Sequence, residues 1–287
     1  MRLRHSSFSS VFSSVLAIAC LIQPAGSALA EPLVLQGSIE HSDVLQPLDT
    51  FKVGADFDSS LLPTNESCEG NWWRVPNWLA GKWHKNGKLK VLSFIDVQTK
   101  APVPTKKRIH VNYPDNEVLG HQTDTSGQVW TFVPLPCVGR TYSGDQINVN
   151  IYHSFDLVDE KQDSITVRLF LVTLIVNKDS NKVISVCQRE SLQTWTALDD
   201  DTVSILDSTK FFDRDGVPLA EKKILSQSQK CGDYCPVNYI DRSTHRPLRH
   251  QAFSIPADIR NSQNVPLDLR NSLADFLRTK KLTSLIP

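Results

Sequence analysis

His153 stands among Ile147, Val149, Ile151, Phe155 and Leu157, at the two-residue spacing that puts all of them on one face of an extended strand. If that strand belongs to a barrel, the imidazole points inward, where it could bond a ligand or act as a general acid or base. A histidine satisfied within the core is the competing reading. Trp130 and Trp195 also fall in strand-like runs, where they would line a pocket or fill the core. Asp199-Asp200-Asp201 offers three carboxylates, but adjacent side chains cannot all converge on one ion, which points to a solvated turn. Asp213-Arg214-Asp215-Gly216 has the opening of a calcium loop without its remaining spaced acids or terminal glutamate, and turn chemistry accounts for it. Cys231-Gly-Asp-Tyr-Cys235 could bring two thiols together, yet no second cysteine pair or histidine pair completes a zinc site. A structural disulfide is the expectation there. The sequence has no nucleophile elbow, His-Glu-x-x-His, phosphate loop or dinucleotide fingerprint, so no cofactor or metal is expected.

Four of the six tryptophans crowd into the segment from Asn71 to Trp83. Such a cluster could plug one end of a barrel or form a flat platform for a sugar. Trp72 and Trp73 are adjacent and would point apart in an extended chain, which favours packing.

The elements that would hold these residues are strands. From Leu89 to about Leu225 the chain reads as short apolar runs bounded by Gly, Pro, Asn and Asp. Candidates are Leu89–Val97, Lys107–Asn112, Gln128–Leu135, Ile147–Leu157, Ser164–Val176, Lys182–Arg189, Leu192–Leu198, Thr202–Leu206 and Lys210–Phe212 with a continuation after Gly216. Asn177 to Asn181 reads as a hairpin connection. No helical periods intervene, so the strands should form an antiparallel meander. Long meanders leave exposed edges unless the sheet closes, and closure at about eight strands gives a barrel able to hold one small ligand. The predicted fold is all-β: an antiparallel up-and-down barrel with a C-terminal helical tail, or else a two-sheet sandwich. That tail runs from Pro266 to Lys281, where Leu269, Leu273, Phe276 and Leu277 recur at helical spacing.

With Gly81-Lys82-Trp83 ahead of such a meander, the sequence resembles the lipocalin and wider calycin group. The resemblance implies a barrel that carries a small apolar molecule. It covers three residues and the strand order, the central Thr-Asp-Tyr-like motif is missing, and the chain is longer than a simple lipocalin. Gly81-Lys82-Trp83 with Asn86 also looks like the opening strand of avidin, although nothing else carries over a biotin site.

Residues 1–30 hold Arg2 and Arg4, an apolar run from Val11 to Ile22 and Ala28-Leu29-Ala30, the pattern of a secretory leader. Cleavage before Cys20 would instead leave a lipid anchor. Export would place Cys68, Cys137, Cys187, Cys231 and Cys235 where disulfides persist. Residues 31–69 read as a loosely held segment, 70–230 as the barrel domain and 231–287 as an extension. Asn65-Glu66-Ser67 is a glycosylation sequon, and Arg242, His245, Arg246, Arg249 and His250 form a basic stretch. With 31 basic and 31 acidic residues the chain lacks the charge excess of a general nucleic-acid binder. No later apolar run is long enough to span a bilayer. The expected function is carriage of a small apolar ligand, with Trp83, Trp130, His153 and Trp195 around it. The alternatives are a barrel enzyme using His153 and a secreted interaction protein with a filled core.

Overall fold

The computed structural model describes residues 39–64, 70–85, 88–104, 109–111, 115–241 and 266–287. The leader-like residues with Cys20, the sequon with Cys68, Asn86 and the basic stretch from Arg242 to His250 lie outside the described residues. No helix among the described residues is long and apolar enough to cross a membrane.

Eight short strands come first: β1 (Asn71–Val75), β2 (Gly81–Lys85), β3 (Lys88–Asp96), β4 (Ile109–Val111), β5 (Asp115–Leu119), β6 (Gln122–Thr123), β7 (Val129–Val133) and β8 (Cys137–Ser143). Five longer ones follow: β9 (Gln146–Glu160), β10 (Ser164–Asn177), β11 (Val183–Ala197), β12 (Thr202–Phe212) and β13 (Pro218–Asp233). The chain ends with β14 (Tyr239–Ile240), β15 (Leu267–Asp268) and the helix α1 (Leu269–Thr279). The class is all-β and antiparallel, with one C-terminal helix, and the main sheet curls into a half-barrel. Its strands run in the order β4-β3-β13-β12-β11-β10-β9-β8, with β2 also paired to β13 and β5 to β2. A small sheet, β1-β7-β6, packs against one face of it.

Local chemistry explains the connections. At the predicted hairpin, the Asn177 side chain accepts from the backbone of Asp179 and Ser180 (3.1 and 2.9 Å), and Asn181 takes the left-handed conformation that asparagine tolerates. Two strands run on where the sequence reading broke them. β11 continues through Glu190 and Ser191, and β12 through Asp207, Ser208 and Thr209, because each of these polar side chains finds a partner: Ser191 on Asp207 and Ser208 on Glu221 across the sheet, Thr209 on Asp207 of its own strand, and Glu190 on Ser42 of the preceding segment.

β9 departs from its sequence pattern. Tyr152 pairs with Leu171 and Ser154 with Phe170, leaving His153 as the extra residue of a bulge. One added residue flips every later side chain to the other face. Val149 and Ile151 therefore pack with Val172, Leu174 and Val176, whereas Phe155 and Leu157 join Val167, Leu169 and Trp195 on the opposite side. The single apolar face expected from residues 147 to 157 is two faces, one for each half of the strand.

The Trp195 face of the sheet meets the small sheet in a core of Trp73, Val75, Leu79, Trp83, Val129, Ile165, Val167, Trp195, Val203 and Ile205. The opposite, Glu190 face is crossed by residues 39–62. This segment has no long strand but is fastened: the Leu45 and Leu48 amides donate to Gly216 and Arg214, and those of Gly54 and Phe57 to Val183 and Asn181. Gly216 must be glycine, since a Cβ there would lie 1.9 Å from the Leu45 carbonyl oxygen. The helix forms as its spacing predicts. Asp268 caps it through the Arg270 and Asn271 amides (3.0 and 3.1 Å), and Leu269, Leu273 and Leu277 are fully buried against Trp72, Trp130, Phe132 and Ile240. Each such leucine contributes about 1.5–3 kcal/mol.

Candidate functional site

The structure separates the four residues expected around a ligand. Trp83 and Trp195 come together in the same core, 1% and 2% exposed, and the Trp83 indole N–H donates to the Leu79 carbonyl at 2.8 Å. Trp130 lies on the other side of the small sheet, donating to Asp124 at 2.9 Å and meeting Phe276 edge-on at 5.8 Å. His153, expected to point inward, is exposed instead, because the β9 bulge takes it out of the alternation. It makes no hydrogen bond or ion pair among the described residues.

Trp72 and Trp73 point apart as their adjacency requires, Trp72 against Phe132 (5.2 Å) and Trp73 stacked on Phe155 (5.6 Å). Both are buried, so neither is a platform. Cys231 and Cys235 are exposed free thiols rather than the expected bridge. Cys231 sits in β13, and four residues of extended chain separate two Cα atoms by up to about 13 Å, against at most about 7 Å for a disulfide. Asp201 and Asp199 share a local turn bond of 2.9 Å, and Asp213 accepts from the Val217 amide at 2.8 Å, so both acidic clusters are turn-formers. Among the described residues no group of three His, Cys, Asp or Glu side chains could hold a metal ion.

A different constellation occupies the Trp195 face beyond the sealed core. Strand register places Leu171, Arg189, Phe211, Ala220 and Asp96 in one row across five strands, and Leu169, Ser191, Thr209, Lys222 and Phe94 in the next. Tyr152 extends the first row. The Phe94 and Phe211 rings touch, with centroids 5.9 Å apart. The Arg189 guanidinium lies over Phe211 at 5.2 Å and the Lys222 ammonium over Phe94 at 5.8 Å. Neither cation forms a close ion pair among the described residues, Asp207 acting on Lys222 only through its charge, and the Arg189 Nε is buried without a hydrogen bond.

The two acids on this face are occupied elsewhere. Asp207 accepts from Ser191 (2.6 Å), Thr209 (2.8 Å) and Gln193 (3.3 Å), while Asp96 is used by Gln98 and Thr99 in the turn after β3. Burial pushes the Lys222 ammonium below its ordinary pKa, the Arg189 charge pushes the same way, and Asp207 opposes them. Burial raises the Tyr152 phenol against the pull of Arg189, which keeps it a hydrogen-bond donor. Two half-buried cations, two rings and a phenol can accommodate an anionic group beside apolar surface. Sequence reading missed this site because its members come from five strands; the one available signal was charge inside otherwise apolar runs.

The Glu190 face carries a second network. Glu190 is fully buried and accepts from His41 Nδ1 (3.1 Å), the Ser42 amide (2.7 Å) and the Ser42 hydroxyl (3.1 Å), with Arg168 Nε at 3.2 Å. His41 Nε2 meets the Ser208 hydroxyl at 3.0 Å, and Lys210 donates to the Ser42 carbonyl at 2.7 Å. Burial works to raise the Glu190 pKa, but the bonds from His41 and Ser42 hold it below the usual carboxylate range. Hydroxyl, imidazole and carboxylate stand in the order of a hydrolytic triad. Yet Ser208 lies in a central strand, paired with Leu192 and Lys223, where backbone amides are spent on the ladder rather than free to stabilise an oxyanion. Its hydroxyl is also shared with Glu221 at 3.4 Å. The network is a clasp that fastens residues 41 and 42 to the sheet. No protein family and no curated protein matches the chain, so its function rests on this geometry.

Proposed function

We propose that the chain is an exported, lipocalin-like binding protein that takes a small, largely apolar molecule against the Trp195 face of its half-barrel, along the rows that run from Tyr152 and Leu171 to the touching rings of Phe211 and Phe94. The observation that carries this reading is the character of that surface. The face continues outward from a sealed core with Leu169, Leu171, Phe94 and Phe211 interleaved with Arg189, Lys222, Ser191 and Thr209, so apolar surface stands beside polar groups able to orient a guest. Trp83 and Trp195 support it from beneath as packed core. Catalysis at His153 would need a hydrogen-bonding or ion-pairing partner, and that imidazole has none among the described residues.

Export is supported by the charge, apolar run and small residues of the first 30 positions. The test is native mass spectrometry of protein purified from its original host. A retained small molecule, with the chain beginning at Glu31, is the expected result. A chain that carries no guest and leaves the fluorescence of a neutral apolar probe unchanged overturns the binding reading.

A further inference from the structure

We infer that the guest is an acidic amphiphile, its carboxylate or phosphate head held between Arg189 and Lys222 and its apolar body lying beside Phe94, Phe211 and Leu171; this inference rests on the binding reading above. The two cations face the same side of the sheet, each braced over a ring of a touching phenylalanine pair. Solvent screens such charges well on an open surface, but both are half-buried here, so their mutual repulsion and lost hydration are unrelieved by water alone.

Relief from within the protein is partial: Asp207 pulls on Lys222 from the same face but shares its oxygens with Ser191, Thr209 and Gln193, and the Asp96 carboxylate is held by Gln98 and Thr99 in the turn after β3. An incoming anion supplies what is missing. It would accept from the planar fork of Arg189, whose buried Nε lacks a partner, and from the Lys222 ammonium, with the Tyr152 hydroxyl as a further donor on the same face. A neutral guest leaves the cations as they are, and a cationic one worsens them. The apolar neighbours require the rest of the molecule to be hydrocarbon-like, which separates this ligand from a free inorganic ion.

The test is displacement of the neutral probe N-phenyl-1-naphthylamine from the full chain by four twelve-carbon competitors below their micellar concentrations: dodecanoate, dodecyl phosphate, dodecanol and dodecyltrimethylammonium. At least one anion should displace the probe ten times or more tighter than dodecanol, and whichever anion wins tells a carboxylate from a phosphate guest. Arg189→Gln and Lys222→Gln should each erase about tenfold of that preference while leaving dodecanol within twofold. Should either variant fail to fold, the wild-type preference for the anion must still shrink on going from 50 to 500 mM NaCl, with dodecanol unaffected. If the probe and dodecanol bind but neither anion binds tighter, the anion inference is wrong and the binding site stands. If nothing binds, the site itself is wrong and the inference goes with it.

Discussion

Replacing Glu190 with glutamine should loosen the whole N-terminal segment. The carboxylate receives four contacts, two at each oxygen: His41 and the Ser42 amide on one, the Ser42 hydroxyl and Arg168 on the other. An amide keeps one acceptor oxygen and turns the other end into a donor. The Ser42 hydroxyl can rotate to meet it, but the Arg168 guanidinium cannot, and the bonds that remain lose their charge assistance. A hydrogen bond to a charged group is worth about 1.5–3 kcal/mol. Arg168 meets Glu190 as an ion pair without a hydrogen bond at its Nε and is 30% exposed, so its loss falls below that range, at about 1 kcal/mol. Adding the weakening of the other bonds brings the expected cost of Glu190→Gln to about 3 kcal/mol, the lower edge of what severed buried ion pairs cost.

Urea unfolding followed by tryptophan fluorescence measures this directly, and tryptic cleavage after Lys52, within residues 39–62, should accelerate in parallel. The pH dependence follows from the depressed Glu190 pKa. Its stabilisation is fully present above the ordinary glutamate value of 4.5 and is lost as the pH falls through the lower folded value, so Glu190→Gln should lack that acid limb. A cost under about 1 kcal/mol with unchanged Lys52 cleavage would refute the clasp. Covalent labelling of Ser208 by a fluorophosphonate probe would turn it into a nucleophilic relay.

His121 supplies a second pH effect: desolvation of its half-buried ring lowers its pKa to about 4, and its Nδ1 accepts the Phe132 amide at 3.1 Å, so the folded protein holds it neutral. The unfolded chain takes up that proton from pH 6.5 downward, so stability should fall by up to roughly 3 kcal/mol between pH 6.5 and 4, and His121→Gln should flatten that stretch of the profile measured by chemical denaturation. Leu273→Ala removes a fully buried side chain of α1 and should cost about 2–5 kcal/mol in thermal or urea unfolding, with amide exchange rising first in the helix. Peptide mapping after brief iodoacetamide treatment should find Cys231 and Cys235 modified well before Cys187, whose half-buried thiol is raised in pKa by burial.

The class of the fold was legible because it depends on local pattern. Alternating apolar runs, the Asn177 turn and the leucine spacing of α1 each state their structure within a dozen residues, and the adjacency of Trp72 and Trp73 correctly placed them on opposite faces. His153 marks where such reasoning ends. Its neighbours keep perfect two-residue spacing, and nothing in residues 147 to 157 announces the bulge that divides them between two cores. Likewise, Glu190 and Ser208 read as interruptions of apolar strands, since the partner that makes them tolerable, His41, lies 149 and 167 positions away. The two cations of the binding face share this property: Arg189 and Lys222 come from strands that are not neighbours, so their proximity depends on β12 lying between them.

The clasp also sets an order of events during synthesis. His41 emerges 167 residues before Ser208, and at about 5–20 residues per second that interval lasts roughly 8–30 s. Throughout it, residues 39–62 have no sheet to dock on, since β11 and β12 do not yet exist. Those residues therefore stay open to capture by other machinery until β12 has been made, and their docking is among the last steps of folding.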